Sequence, residues 1–205
     1  MACHVISFSS VPDKLVELLA TQLPYSLPLL RRLQSTKFKH GTTPHARTVF
    51  VSNTEFLSDE QAQQPKVYTA AYLDFSREET QMYIYSTLEH RDNRDDAGSR
   101  ELYKQQMAEL VQEVIRLRKE YTPELLFTNP DCILVGTLHS EVRSILEEFE
   151  GRVEPRITGN YDKWLIKRDE LPLLDESLPA GMYWDSASFD DCQIVVSRTD
   201  IPRSA

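Results

Sequence analysis

Hydrophobic positions recur along the chain with two periods, and each period marks its own kind of element. After Ser10-Val-Pro-Asp, residues Val11, Leu15, Leu18 and Leu19 fall at helical spacing up to Pro24. Ser10 is the expected N-cap, with Pro12 in the first turn, where a missing N–H does no harm. A second short helix is expected from Ser26, with Pro28 in its first turn and Leu29, Leu30 and Leu33 on its apolar face. The β-branched run Arg47–Ser52 predicts a strand. Strict alternation follows. Over Lys66–Phe75 it sets Val67, Thr69, Ala71, Leu73 and Phe75 against Tyr68, Ala70, Tyr72 and Asp74. Over Gln81–Leu88 it sets Met82, Ile84 and Leu88 against Tyr83 and Tyr85, and the polar link Ser76–Thr80 makes the pair an antiparallel hairpin.

The longest helix is expected from Ser99, since Tyr103, Met107, Leu110, Val114, Leu117 and Tyr121 form one stripe until Pro123. Cys132–Gly136 reads as a buried strand, and Val142, Ile145, Leu146 and Phe149 as a helix ended by Gly151. Tyr161–Lys167 reads as a further strand. Ser188-Phe-Asp-Asp191 has capping-box spacing before Cys192–Val196 and predicts a final short helix. Ser52–Pro65 and Glu89–Gly98 are the expected loops. The order predicts an α/β (α+β) fold, a mixed and largely antiparallel sheet with packed helices.

Composition narrows the class. A chain of 205 residues with 40% hydrophobic and 27% charged positions can bury roughly 70% of its unfolded surface, which excludes a disordered tail or a fibre. The apolar runs Cys132–Val135 and Ile194–Val196 fall far short of the ~20 residues a bilayer span needs. The net charge is −9, from 32 acids and 23 bases, and it repels a phosphate backbone. The expectation is therefore no nucleic acid and no membrane as partner. Arg31–Arg32, Lys37–Lys39 and Arg116–Lys119 read as solvated faces or cations on apolar stems, the alternative being a phosphate or CoA contact. Cys3, Cys132 and Cys192 fit no zinc or redox spacing, and the last two read as small buried hydrophobes. With no signal-peptide pattern at the start, the expected compartment is the reducing cytoplasm.

The six glycines, at 41, 98, 136, 151, 159 and 181, stand at least eight residues apart. That spacing excludes the Rossmann fingerprint, the P-loop and the nucleophile elbow, all of which need glycines close together. His40 and His45 bracket a Gly41–Pro44 loop and read as exposed loop residues, the alternative being a base near neutral pH. His139 reads as a connector between strand and helix. If the hairpin pairs as expected, Tyr68, Tyr72, Tyr83 and Tyr85 share one face. Such a face is either a platform for a planar or acyl ligand or, as favoured here, a half-exposed sheet surface.

Three segments, Leu23-Pro-Tyr-Ser-Leu-Pro-Leu-Leu-Arg-Arg-Leu33, Thr43-Pro-His-Ala-Arg-Thr48 and Ala70-Ala-Tyr-Leu-Asp74, resemble the N-terminal half of glycine N-acyltransferase-like proteins of the GNAT superfamily, especially fungal ones. So do Gly181-Met-Tyr-Trp184, Asp190-Asp191 and Ser197-Arg-Thr-Asp-Ile-Pro-Arg203. The resemblance implies a degenerate GNAT-like N-terminal domain over residues 1–180, with 181–205 beginning a second, catalytic domain not present in this chain. In that family the catalytic half binds the pyrophosphate of acyl-CoA on an Arg/Gln-x-x-Gly-x-Gly/Ala loop at a helix N-terminus. The partial match here, Arg156-Ile-Thr-Gly159-Asn-Tyr161, puts tyrosine where a small residue is needed and reads as a turn. No catalytic, cofactor-binding or metal-binding residue is therefore assigned, and no cofactor is expected in this chain.

The leading expectation is a non-catalytic part that packs on the missing catalytic half and shapes the acceptor pocket. The alternatives are a stand-alone interaction protein, such as a homodimer, and an independent enzyme using His40 or His45 with a tyrosine hydroxyl.

Overall fold

A computed structural model describes residues 3–55, 64–77, 80–90, 97–121, 133–149, 179–183 and 185–198, with isolated positions 153, 166 and 169. The chain divides into two compact units, Met1–Tyr161 and Asp162–Ala205. The first contains strands β1 (His4–Phe8), β2 (Arg47–Ser52), β3 (Tyr68–Leu73), β4 (Met82–Ser86) and β5 (Val135–Gly136). Its helices are α1 (Asp13–Ala20), α2 (Leu27–Ser35), α3 (Ala97–Glu120) and α4 (Ser140–Glu147). The strands lie in the order β1-β2-β3-β4-β5, antiparallel up to β4 and parallel between β4 and β5. The expected mixed, mostly antiparallel sheet is thus present.

Alternation in β3 and β4 explains the layering. Ala71, Leu73, Met82 and Ile84 join Val49 and Val51 in one core, against Tyr103, Met107 and Leu110 of α3 and Val142 and Ile145 of α4. The opposite face carries Phe50, Tyr68, Ala70, Tyr72 and Tyr85, packed with Leu15, Leu18 and Leu19 of α1 and Leu29, Leu30 and Leu33 of α2. A sheet covered on both faces needs apolar side chains on both sides of its central strands, and β3 is buried along its whole length. Gln106 links polar groups inside the α3 face. The Gln106 amide donates to Asn53 and to the Val67 carbonyl, while its oxygen accepts from Thr69.

Several boundaries differ from expectation. β1 was not expected: Val5 and Ile6 stand side by side and break the alternation, yet His4 pairs with Ser52 and Phe8 with Thr48. α1 starts at Asp13, so Ser10 is not its cap, and Pro12 stands before the first turn rather than inside it. Ser26 precedes α2 as expected, but its hydroxyl donates to the Leu19 carbonyl at 2.5 Å and ties the two helices together. β5 is two half-buried residues rather than a buried run from Cys132, and Leu134 beside it is 54% exposed. Gly136 is needed there, because a Cβ would lie 2.6 Å from Thr80 Cγ2 and 3.0 Å from Tyr83 Cε1. The stops expected at Pro123 and Gly151, the strand Tyr161–Lys167 and the turn Arg156–Tyr161 fall outside the described residues, apart from position 166.

In the second unit, α5 (Phe189–Ser197) forms as the capping-box spacing predicts. The Ser188 N–H donates to Asp191 Oδ2 at 2.8 Å, and the Asp191 N–H donates back to Ser188 Oγ at 3.2 Å.

Candidate functional site

The tyrosine face forms in the expected register, with Ala70 opposite Tyr85 and Tyr72 opposite Tyr83. It is not half-exposed. Tyr68, Tyr72 and Tyr85 are buried beneath α1 and α2, and only Tyr83 is partly accessible. The phenols therefore form a core layer rather than a ligand platform: Tyr68 stacks on Phe50 with ring centroids 5.2 Å apart, and the Tyr85 hydroxyl lies 2.8 Å from His90 Nε2.

Burial pushes the phenols of Tyr68, Tyr72, Tyr85 and Tyr103 above their ordinary value. A raised pKa in the folded state means that the fold binds these protons more tightly than the unfolded chain does. The stabilisation is complete below about pH 10 and is lost as pH climbs toward the folded values, by up to about 1.4 kcal/mol per pH unit for each phenol. The expected result is a steep alkaline unfolding. These four of the nine tyrosines ionise at 295 nm only as the near-ultraviolet circular dichroism collapses. Ionisation of all nine with the fold intact would contradict the buried layer.

The edge of this layer holds a polar cluster. Arg32 projects from α2 onto Tyr72, its Cζ 4.3 Å from the ring centroid, and Nη2 donates to the Tyr72 hydroxyl at 2.7 Å and to the Gly41 carbonyl at 3.3 Å. Tyr72 in turn donates to Asp74 Oδ2 at 3.2 Å. That buried oxygen also accepts from Thr43 Oγ1 at 3.0 Å and Arg77 Nε at 3.4 Å. Oδ1 accepts from the Ser76 N–H at 3.1 Å and the Ser76 hydroxyl at 2.6 Å. A carboxylate taken out of water needs such a set of donors. Arg32 is thus not a solvated cation. The cluster joins α2, the loop after it and the end of β3.

Beside it lies a cavity of about 230 Å³, with Tyr72, Thr48, Thr42, Thr36, Ser9, Ser10 and Lys37 in its wall together with Val11 and Ala46. Small-molecule sites usually measure about 300–1,000 Å³, so this hollow lies just below that range, although about 150 Å³ is enough for a ring such as benzene. Neither His40 nor His45 lines it. Both are exposed, as expected. His40 has φ 65°, and its carbonyl accepts from Arg77 at 3.3 Å, while the His45 ring meets Tyr121 edge-on at 4.8 Å. This cavity therefore joins neither imidazole to the Tyr72 hydroxyl. His139 is a connector with a specific task, its Nδ1 accepting from the Glu141 N–H at 3.2 Å to cap α4.

Among the described residues no group of three or more His, Cys, Asp or Glu side chains is placed to hold a metal ion. Cys192 is exposed, contrary to the buried role expected, and Cys132 lies outside the described residues. The cluster residues Arg32, Thr43 and Asp74 were not singled out from the sequence. One signal was available: Asp74 follows Tyr68, Ala70 and Tyr72 in phase on one strand face.

No curated protein and no solved structure matches the chain. The family described as the acyl-CoA N-acyltransferase verG N-terminal domain matches residues 2–164. That span takes in Arg32, Thr43 and Asp74, whose segments carried the resemblance and whose side chains meet in the cluster. The protein belongs to this family of acyl-CoA N-acyltransferase N-terminal domains.

Proposed function

We propose that this domain is a non-catalytic partner within an acyl-CoA-dependent N-acyltransferase, packing on a catalytic half and shaping the pocket for the acyl acceptor. The observation that carries the reading is the family match, which ends at residue 164 and is to a domain named as N-terminal. Backbone chemistry supports it. Cradling a pyrophosphate takes several N–H groups converging on one bend, which closely spaced glycines make possible, and this chain has none so spaced. The longest helix, α3, follows Arg91-Asp-Asn-Arg-Asp-Asp96, whose three aspartates disfavour a phosphate at that helix start.

The second unit fits the start of a further domain, over residues 181–205. Nearly all the apolar residues of α5 are solvent-facing, with Phe189 70% and Val195 69% exposed. Five of its nine residues are apolar, and a bare apolar surface of this kind marks an interaction site. More polypeptide of the catalytic half would cover it, and in a stand-alone interaction protein a second copy would do so. Calorimetric titration of acetyl-CoA into the full chain tests the reading, which expects no saturable binding.

A further inference from the structure

Acidic side chains are spread through this chain with one gap. Residues 18–54 contain no Asp or Glu, but hold Arg31, Arg32, Lys37, Lys39 and Arg47. Arg32 is turned inward onto Tyr72, and Lys37 pairs with Asp13 at 2.8 Å. Arg31 and Lys39 are exposed, with no carboxylate partner among the described residues. Between the two lysines stands Phe38, 73% exposed. It is held out by a tight turn, in which the Phe38 N–H donates to the Ser35 carbonyl at 3.1 Å and the Gly41 N–H to the Phe38 carbonyl at 2.9 Å. An aromatic ring this bare, fixed between cations, gains nothing in water.

We propose that the Lys37–His40 turn docks on an anionic lipid surface, with Phe38 entering the headgroup region and Lys39 and Arg31 facing the lipid charges. Shape favours a bilayer over a peptide or a small molecule. Residues 37–40 are all exposed, and the neighbouring hollow is lined by Lys37 but by neither Phe38 nor Lys39. Small-molecule sites are concave, whereas a membrane interface accepts a protruding aromatic flanked by lysines. The net charge of −9 does not forbid this, because acids more than about 8 Å away are screened at physiological ionic strength. Preorganisation by the turn removes most of the ordering cost of contact.

The test is co-sedimentation of the full chain with vesicles of phosphatidylserine in phosphatidylcholine, of phosphatidylcholine alone, and with soluble polyglutamate. Partition onto the anionic vesicles only, weakening with salt, is expected. Lys39→Gln should lower it about fivefold, the share of one lysine at such a surface. Phe38→Ser should lower it again without altering the near-ultraviolet circular dichroism. Failure of the unmodified chain to bind anionic vesicles would overturn the proposal. So would equal binding by the Phe38→Ser, Lys39→Gln double variant, or capture by polyglutamate alone, which would mark an acidic protein partner instead.

Discussion

Replacing Asp74 with leucine is expected to cost the domain about 3–5 kcal/mol, a large share of the 5–15 kcal/mol that separates most folded domains from the unfolded state. The carboxylate is wholly buried and accepts from Tyr72, Thr43, Arg77 and both the N–H and the hydroxyl of Ser76. A leucine leaves those donors in a dry site with no acceptor, and leaves the Arg77 guanidinium without its carboxylate. The midpoint of thermal unfolding should fall by about 10 °C for a domain of this size. Asp74→Asn keeps one acceptor oxygen and the shape, so its loss should be about half as large. A change below about 1 kcal/mol for the leucine variant would mean that the cluster does not hold the loop to the sheet.

Gly41→Ala is the second large effect. A Cβ at this position would lie 1.8 Å from the Ser35 carbonyl oxygen and 2.8 Å from its carbon, both backbone atoms that no rotamer change can move. The turn must open. That breaks the bond from the Gly41 N–H to Phe38 and draws the Gly41 carbonyl away from Arg32. Overpacking of this kind costs about 1–3 kcal/mol, and the lost bonds place this case at the upper end. Urea denaturation should show the loss, with Thr42→Ala, an exposed neighbour, within about 0.5 kcal/mol of the parent. Equal stability of the Gly41 and Thr42 variants would refute the close approach.

Where sequence reasoning succeeded, a single period decided the matter. The α3 stripe and the β3–β4 alternation each involve enough residues to fix a face, and the structure puts both sets of residues on the faces expected. Failures came where one residue type serves two environments. Tyrosine suits a half-wet surface as well as a core, so the alternation could not reveal that α1 and α2 cover the second face. Arginine hides its head behind an apolar stem, and Arg32 beside Arg31 looked like a solvated pair although one turns inward and the other outward. Asp74 was placed in phase with Tyr68, Ala70 and Tyr72, but alternation shows only its face and not what it bonds. Its partner Thr43 is 31 positions away, and Arg32, which reaches Tyr72, is 40 positions from that tyrosine, separations that no local pattern spans.

The family is one of acyl-CoA N-acyltransferase N-terminal domains, while the chain's sequence has no glycines closely spaced in the way pyrophosphate-binding loops use them. Isothermal calorimetry with acetyl-CoA, on the full 205-residue chain, addresses that contrast most directly. Heats that stay flat and unsaturable through the millimolar range are the predicted result. A saturable isotherm with micromolar affinity would contradict the account, because it would require a diphosphate site built without closely spaced glycines.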